Sequence, residues 1–127
     1  MPTTVAIVDD SATIRKITRS FIEAHTDWEV CGEAEDGEKA IDLAERINPD
    51  LIVLDLSMPV KNGLDAARTI AKVSPTSAVV LFTAHASNEL KMEAARVGIR
   101  AVIPKDGNAS LEQLVSALRQ FRLPRPA

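Results

Sequence analysis

Leu51-Ile52-Val53-Leu54-Asp55 followed by Leu56-Ser57-Met58-Pro59-Val60-Lys61-Asn62-Gly63 is the stretch whose reading decides the fold. Four consecutive apolar residues run straight into a carboxylate, and a polar loop holding Pro59 and Gly63 comes next. An unbroken apolar run of this length suits a strand covered on both faces, as in a parallel sheet, rather than one with a wet side. After the loop, Leu64, Ala67, Ile70 and Ala71 recur at helical spacing until Pro75 stops them.

The same unit repeats outward in both directions. Upstream, Val5-Ala6-Ile7-Val8 ends in Asp9-Asp10, and Ile14, Ile17 and Phe21 then mark one face of a helix. Trp28-Glu29-Val30-Cys31-Gly32 alternates like a strand with one wetter side. Asp36-Gly37 reads as a turn, Ala40, Leu43, Ala44 and Ile47 as a helix face, and Asn48-Pro49 as its stop. Downstream, Ala78-Val79-Val80-Leu81-Phe82 ends in Thr83, and a helix around Leu90, Ala94 and Val97 closes at Gly98, a C′ glycine. Ala101-Val102-Ile103-Pro104 ends at Lys105, and Leu111, Leu114, Val115 and Leu118 make the last amphipathic helix. Strand then helix, five times over, predicts an α/β fold: a doubly wound parallel sheet with right-handed crossovers and helices on both faces. One domain is expected over residues 1–127, with its core at about 4–121 and residues 122–127 as a tail or the start of a linker.

Composition narrows the class. Hydrophobic residues make up 46% of the 127, enough for a packed core, and with 3% aromatics that core must be aliphatic. The net charge of −3 gives no argument for nucleic-acid or membrane binding. Residues 1–63 carry 6 Lys/Arg against 13 Asp/Glu and residues 64–127 carry 9 against 5, so the halves stand at −7 and +4. Either the acidic half hosts a cation or surface charge is unevenly spread. The lone Cys31 has no disulfide partner, the N-terminus lacks a signal pattern, and no apolar run approaches a membrane span, so a cytoplasmic location is expected.

Asp9, Asp10, Asp55, Thr83 and Lys105 all fall at the C-terminal ends of predicted strands, the edge at which open α/β sheets bind ligands. Crowded carboxylates repel one another unless a cation intervenes, and hard oxygen ligands suit Mg²⁺. A carboxylate can also act as a nucleophile toward phosphorus, with an ammonium and a hydroxyl compensating the phosphoryl charge. Each residue has a plainer reading alone: Asp10 or Ser11 as a helix cap, Asp55 as a solvated strand end, Thr83 as a β-former, Lys105 as a surface lysine. Their conjunction at the ends of strands 1, 3, 4 and 5 favours a site.

Ile7-Val8-Asp9-Asp10-Ser11, Val53 to Pro59 with Asn62-Gly63, Phe82-Thr83-Ala84 and Ile103-Pro104-Lys105-Asp106 resemble the response-regulator receiver family across nearly the whole chain. The resemblance implies the flavodoxin-like strand order 2-1-3-4-5, for which this family is itself a standing example. It implies Asp55 as phosphoacceptor, with Mg²⁺ (or Mn²⁺) bound by Asp10, Asp55 and the Ser57 carbonyl, and by Asp9 through water. Lys105 would pair with the phosphoryl oxygens and Thr83 would swing inward to bond them. The implied donor is a histidine kinase or phosphotransfer protein, and the output a downstream protein target or a self-dimer. Slow Mg-dependent self-phosphorylation and autodephosphorylation would accompany it.

The pattern is departed from at Val102, where the family often has Tyr or Phe; a stiff valine puts a threonine–aromatic switch in doubt and shifts weight to the loop from Ala84 to Asn88. Ser57 and His85 flank the water path by family position, and His85 reads either as a phosphoryl contact or as an exposed loop residue. Trp28 is expected at a core edge and His25 on the surface near a helix end; Arg96 and Arg100 either meet partners or only solubilise. Asp106 and the 56–60 loop look like receivers fused to helix-turn-helix domains, whereas Asp9 to Lys16 looks like stand-alone chemotaxis receivers. The alternative to a stand-alone switch is thus the receiver of a DNA-binding regulator, with no DNA contact by this chain. A flavin protein is disfavoured because two carboxylates open the loop that would hold its phosphate. A dehalogenase-like phosphatase, expected to carry its Asp nucleophile after strand 1 with a second Asp two residues on, is disfavoured because Thr13 and not Asp stands near there and the chain is short for that class.

Overall fold

Side chains pointing alternately up and down from the central strands fill two separate cores. In a computed structural model of the chain, residues 2–106 and 109–121 are described, and the expected tail at 122–127 lies outside them. The elements run β1 (Thr4–Val8), α1 (Ala12–His25), β2 (Glu29–Ala34), α2 (Gly37–Ile47), β3 (Leu51–Leu54), α3 (Gly63–Val73), β4 (Ala78–Thr83), α4 (Asn88–Arg96), β5 (Ala101–Pro104) and α5 (Ser110–Phe121). The strands form one five-stranded sheet in the order β2-β1-β3-β4-β5, and every paired neighbour is parallel. The expected α/β fold and its 2-1-3-4-5 order are both present.

On one face Ala6, Val8, Ile52, Leu54, Val79 and Leu81 meet α2, α3 and α4 through Leu43, Ile70, Leu90 and Ala94. On the other, Val5, Ile7, Leu51, Val53, Val80 and Phe82 meet α1 and α5 through Ile22, Leu114, Val115 and Leu118. β1, β3 and β4 are thus apolar on both sides, which is why they read as runs and not as alternations.

Several expectations need correction. Ile17 is 48% exposed, and α1 buries Thr18 and Ile22. Its inward stripe runs through i, i+4 positions, and a residue one step earlier points about 100° away. Ala71 is exposed and Ile47 lies at the 37% rim of its core. Asp36-Gly37 is a helix start, not a turn: the Asp36 side chain accepts the Lys39 N–H at 2.8 Å, and Gly37 is the first, buried residue of α2. β2 runs on to Ala34 because a register shift lets Val5 pair with Val30 and Ala6 with Gly32, carrying the strand past the glycine. Trp28 is buried in the α1–α5 core, and Cys31 is half-buried against the opposite one. Gly98, at φ 91°, closes α4 as expected.

Candidate functional site

The ends of β1, β3 and β5 are each extended one residue by the parallel ladder, and those extra residues are the polar ones. The Asp9 N–H donates to Ala34 O at 3.0 Å, the Asp55 N–H to Val8 O at 2.9 Å and the Lys105 N–H to Thr83 O at 2.8 Å. Strand pairing therefore fixes the backbone from which each functional side chain leaves. Asp9, Asp55 and Thr83 are buried, Lys105 is half-buried and Asp10 is exposed.

The three carboxylates converge: Asp9, Asp10 and Asp55 each offer an oxygen within 4.8 Å of the others. Lys105 Nζ bridges two of them, pairing with Asp9 Oδ2 and lying 3.3 Å from Asp55 Oδ1. Its ammonium also sits 5.6 Å from the centre of the Phe82 ring, an apolar support that sequence reading passed over because Phe82 looked like strand filler. Burial pushes the Asp55 carboxyl above its ordinary range; Asp9 pushes it further and Lys105 pulls it back. Three carboxylates facing one ammonium leave two negative charges unmatched. A divalent cation with a preference for carboxylate oxygen fits that charge and donor set.

Ser11 caps α1, its hydroxyl accepting the Ile14 N–H at 3.2 Å, while Asp10 is left free for the cluster. Thr83 Oγ1 accepts the His85 N–H at 3.1 Å, which ties the hydroxyl to the β4–α4 loop. No hydrogen bond joins Thr83 to Asp55 among the described residues. Ser57, Ala84 and His85 are exposed, and Val102 is half-buried against the α2–α3–α4 core.

Two glycines escaped the sequence reading as site residues. A Cβ at Gly63 would stand 2.3 Å from Asp55 O and 3.0 Å from Leu56 Cα; one at Gly37 would stand 2.3 Å from Lys61 O. Both allow the loop from Leu56 to Asn62 to fold back beside Asp55, and the Gly63 N–H donates to Leu56 O at 2.9 Å.

Residues 5–119 match the family model described as response regulator receiver domain. The chain belongs to the response regulator receiver family. Among curated receiver relatives, the chemotaxis protein CheY of Thermotoga maritima is 32% identical over 116 residues, which cover 91% of this chain and 94% of that protein. A protein-glutamate methylesterase/protein-glutamine glutaminase of Pyrococcus abyssi is 38% identical over 106 residues, covering 83% of this chain. This receiver spans only 29% of that relative's length. The crystal structure of the response regulator domain of Thermotoga maritima CheB superposes at a TM-score of 0.89 with 28% identity, covering 99% of this chain and 100% of that one. Receivers of this family serve two-component signalling, taking a phosphoryl group from histidine kinases and acting on downstream effectors. No helix among the described residues is long and apolar enough to cross a membrane.

Proposed function

We propose that Asp55 is the phosphoryl acceptor of this receiver. The observation that carries the reading is Lys105 Nζ bridging Asp9 and Asp55 at the C-terminal edge of the sheet, 3.3 Å from Asp55 Oδ1. Asp10 and Asp55 would hold Mg²⁺ (or Mn²⁺) directly with the Ser57 carbonyl, and Asp9 would hold it through water. The bound cation would neutralise charge on the transferring phosphoryl oxygens.

An ionised Asp55 oxygen attacks phosphorus as the phosphorus–nitrogen bond of a donor phosphohistidine breaks, and the imidazole leaves with the electron pair. Lys105 then transfers its ion pair from the carboxylate to a phosphoryl oxygen. Thr83 has its hydroxyl proton free for the same group while its oxygen accepts from His85, so its movement would pull on the loop from Ala84 to Asn88. With Val102 in place of a ring, that loop carries the signal to a protein target or a second receiver. Water attacking phosphorus returns Asp55 as a carboxylate and resets the switch, with Ser57 and His85 at the rim setting its lifetime. The enzymatic character is limited to this slow self-phosphorylation and hydrolysis.

Wild type and Asp55→Asn treated with Mg²⁺ and acetyl phosphate give the test by intact mass. A gain of one phosphoryl group in wild type alone is expected; equal gain in both proteins would remove Asp55 from the role.

A further inference from the structure

We propose that Arg15 is a positioning residue for the acidic pocket, clamped by Glu33 of β2 onto the main-chain carbonyl of Asp9. This rests on the Mg²⁺ reading above. Arg15 Nη1 donates to Asp9 O at 2.6 Å, and its Nε donates to Glu33 Oε1 at 3.0 Å. The other carboxylate oxygen of Glu33 accepts from Arg19 Nη1 at 2.8 Å. The Arg15 side chain is 18% exposed, so this fork is shielded for an arginine on an outer helix.

Every polar group of Asp9 is engaged. Its N–H reaches Ala34 O, Oδ1 accepts the Ser11 N–H at 2.9 Å, Oδ2 meets Lys105, and its carbonyl meets Arg15. Two of these four ties lead back to β2, Ala34 directly and Glu33 through Arg15. The edge strand thus orients a pocket to which it contributes no ligand. The Asp9 carbonyl belongs to the peptide that leads into Asp10, the exposed member of the trio. Holding that carbonyl fixes the direction in which Asp10 leaves the chain.

The residue types suit the task. A guanidinium plane donates to two acceptors in fixed geometry, which an ammonium on a flexible stem does not reproduce. An uncompensated cation beside the trio would oppose a divalent ion, and Glu33 cancels that charge while aiming the fork. Groups that orient metal-binding residues typically cost 10–100-fold in metal affinity when changed.

The test follows amide NMR shifts of the whole chain through a titration with Mg²⁺ alone, for wild type, Arg15→Lys, Glu33→Gln and Arg19→Lys. Arg15→Lys keeps the formal charge, and its Mg²⁺ dissociation constant is expected to rise about tenfold. Glu33→Gln is expected to move the same way, and Arg19→Lys to stay within about twofold, since it changes only the exposed outer pair. At saturating Mg²⁺, phosphorylation of Arg15→Lys by acetyl phosphate should return to the wild-type extent, which a collapsed site would not do. An Arg15→Lys constant within twofold of wild type overturns the positioning role and leaves the receiver reading intact. Wild type that shows no Mg²⁺-dependent shifts at Asp9–Ser11 and Asp55–Ser57 overturns the Mg²⁺ reading and this inference together. Should Arg15→Lys fail to fold by circular dichroism, Arg15→Gln decides: loss of a positive charge alone would tighten Mg²⁺ binding, so a dissociation constant above wild type upholds the positioning role and one at or below wild type overturns it.

Discussion

Val60 is the residue with the least comfortable backbone in the chain's site region. It sits at φ 71°, 73% exposed, at the centre of a turn closed by the Lys61 N–H on Pro59 O at 2.8 Å. A positive φ closed by an i→i+2 hydrogen bond is a strained γ-turn, which costs a β-branched side chain roughly 1–2 kcal/mol and which glycine enters without a Cβ clash. Val60→Gly is therefore expected to raise stability by up to about 1 kcal/mol, read as a higher urea midpoint at unchanged slope. Asp55 makes a pH prediction. Its carboxyl is held above the ordinary range by burial, so the folded state favours the protonated form. The stability that this form confers is present at low pH and is lost as pH rises through the raised value. In a chelator, Asp55→Asn should melt above wild type at neutral pH, and the gap should close as the solution is acidified toward the ordinary carboxylate range. A constant gap across that range would contradict the assignment. Cys31 is half-buried with its thiol pushed up by desolvation, and its Sγ–H faces Val5 O at 3.5 Å. It should alkylate more slowly at neutral pH than a free thiol and lose that protection in urea.

At the scale of elements, caps and glycines decide where helices begin and how closely loops approach. Ser11, Asp36, Asn62 and Ser87 each accept a main-chain N–H three residues on, so α1, α2, α3 and α4 each begin at a side-chain cap. Asp36→Ala should cost about 1 kcal/mol by denaturant unfolding. Gly63 and Gly98 separate two reasons for glycine. At Gly98, φ is 91° and an added Cβ meets nothing within 4 Å, so Gly98→Ala should cost only the strain, about 1 kcal/mol, and leave Mg²⁺ binding unchanged. At Gly63 the obstacle is the Asp55 backbone at 2.3 Å, which cannot yield without moving the pocket. Gly63→Ala should cost about 1–3 kcal/mol and also weaken Mg²⁺ binding, with melting curves taken with and without the ion separating the two effects. The sequence shows both glycines, but only the folded loop shows that one of them lies against Asp55.

At the scale of the molecule, Asp9, Asp10, Asp55 and Lys105 meet although they are spread along the chain, because a parallel sheet brings strand ends to one edge. A ligand that binds only the folded chain stabilises it by mass action, by about 2.7 kcal/mol at a hundred times its dissociation constant. Mg²⁺ should therefore raise the melting temperature of wild type and raise that of Asp55→Asn less; equal shifts would place the ion elsewhere. The receiver is nearly the whole of one relative and less than a third of another.

Strand and helix order was legible because apolar runs and 3.6-residue stripes report directly on burial, and the polar residues closing each run marked the site edge. Asp9, Asp10, Asp55, Thr83 and Lys105 were all visible in this way. What the sequence by itself determined was the alternation of elements and which polar residues close the strands. Only the tertiary structure decided which stripe of α1 faces inward, placing Thr18 and not Ile17 against the sheet, since that phase depends on how the helix docks. It alone decided the register shift in β2, the approach of Gly37 and Gly63 to a distant loop, and the clamp from Glu33 through Arg15 to Asp9. These are contacts between residues remote in the chain, and a periodicity that reports burial carries no information about which distant backbone a side chain will meet.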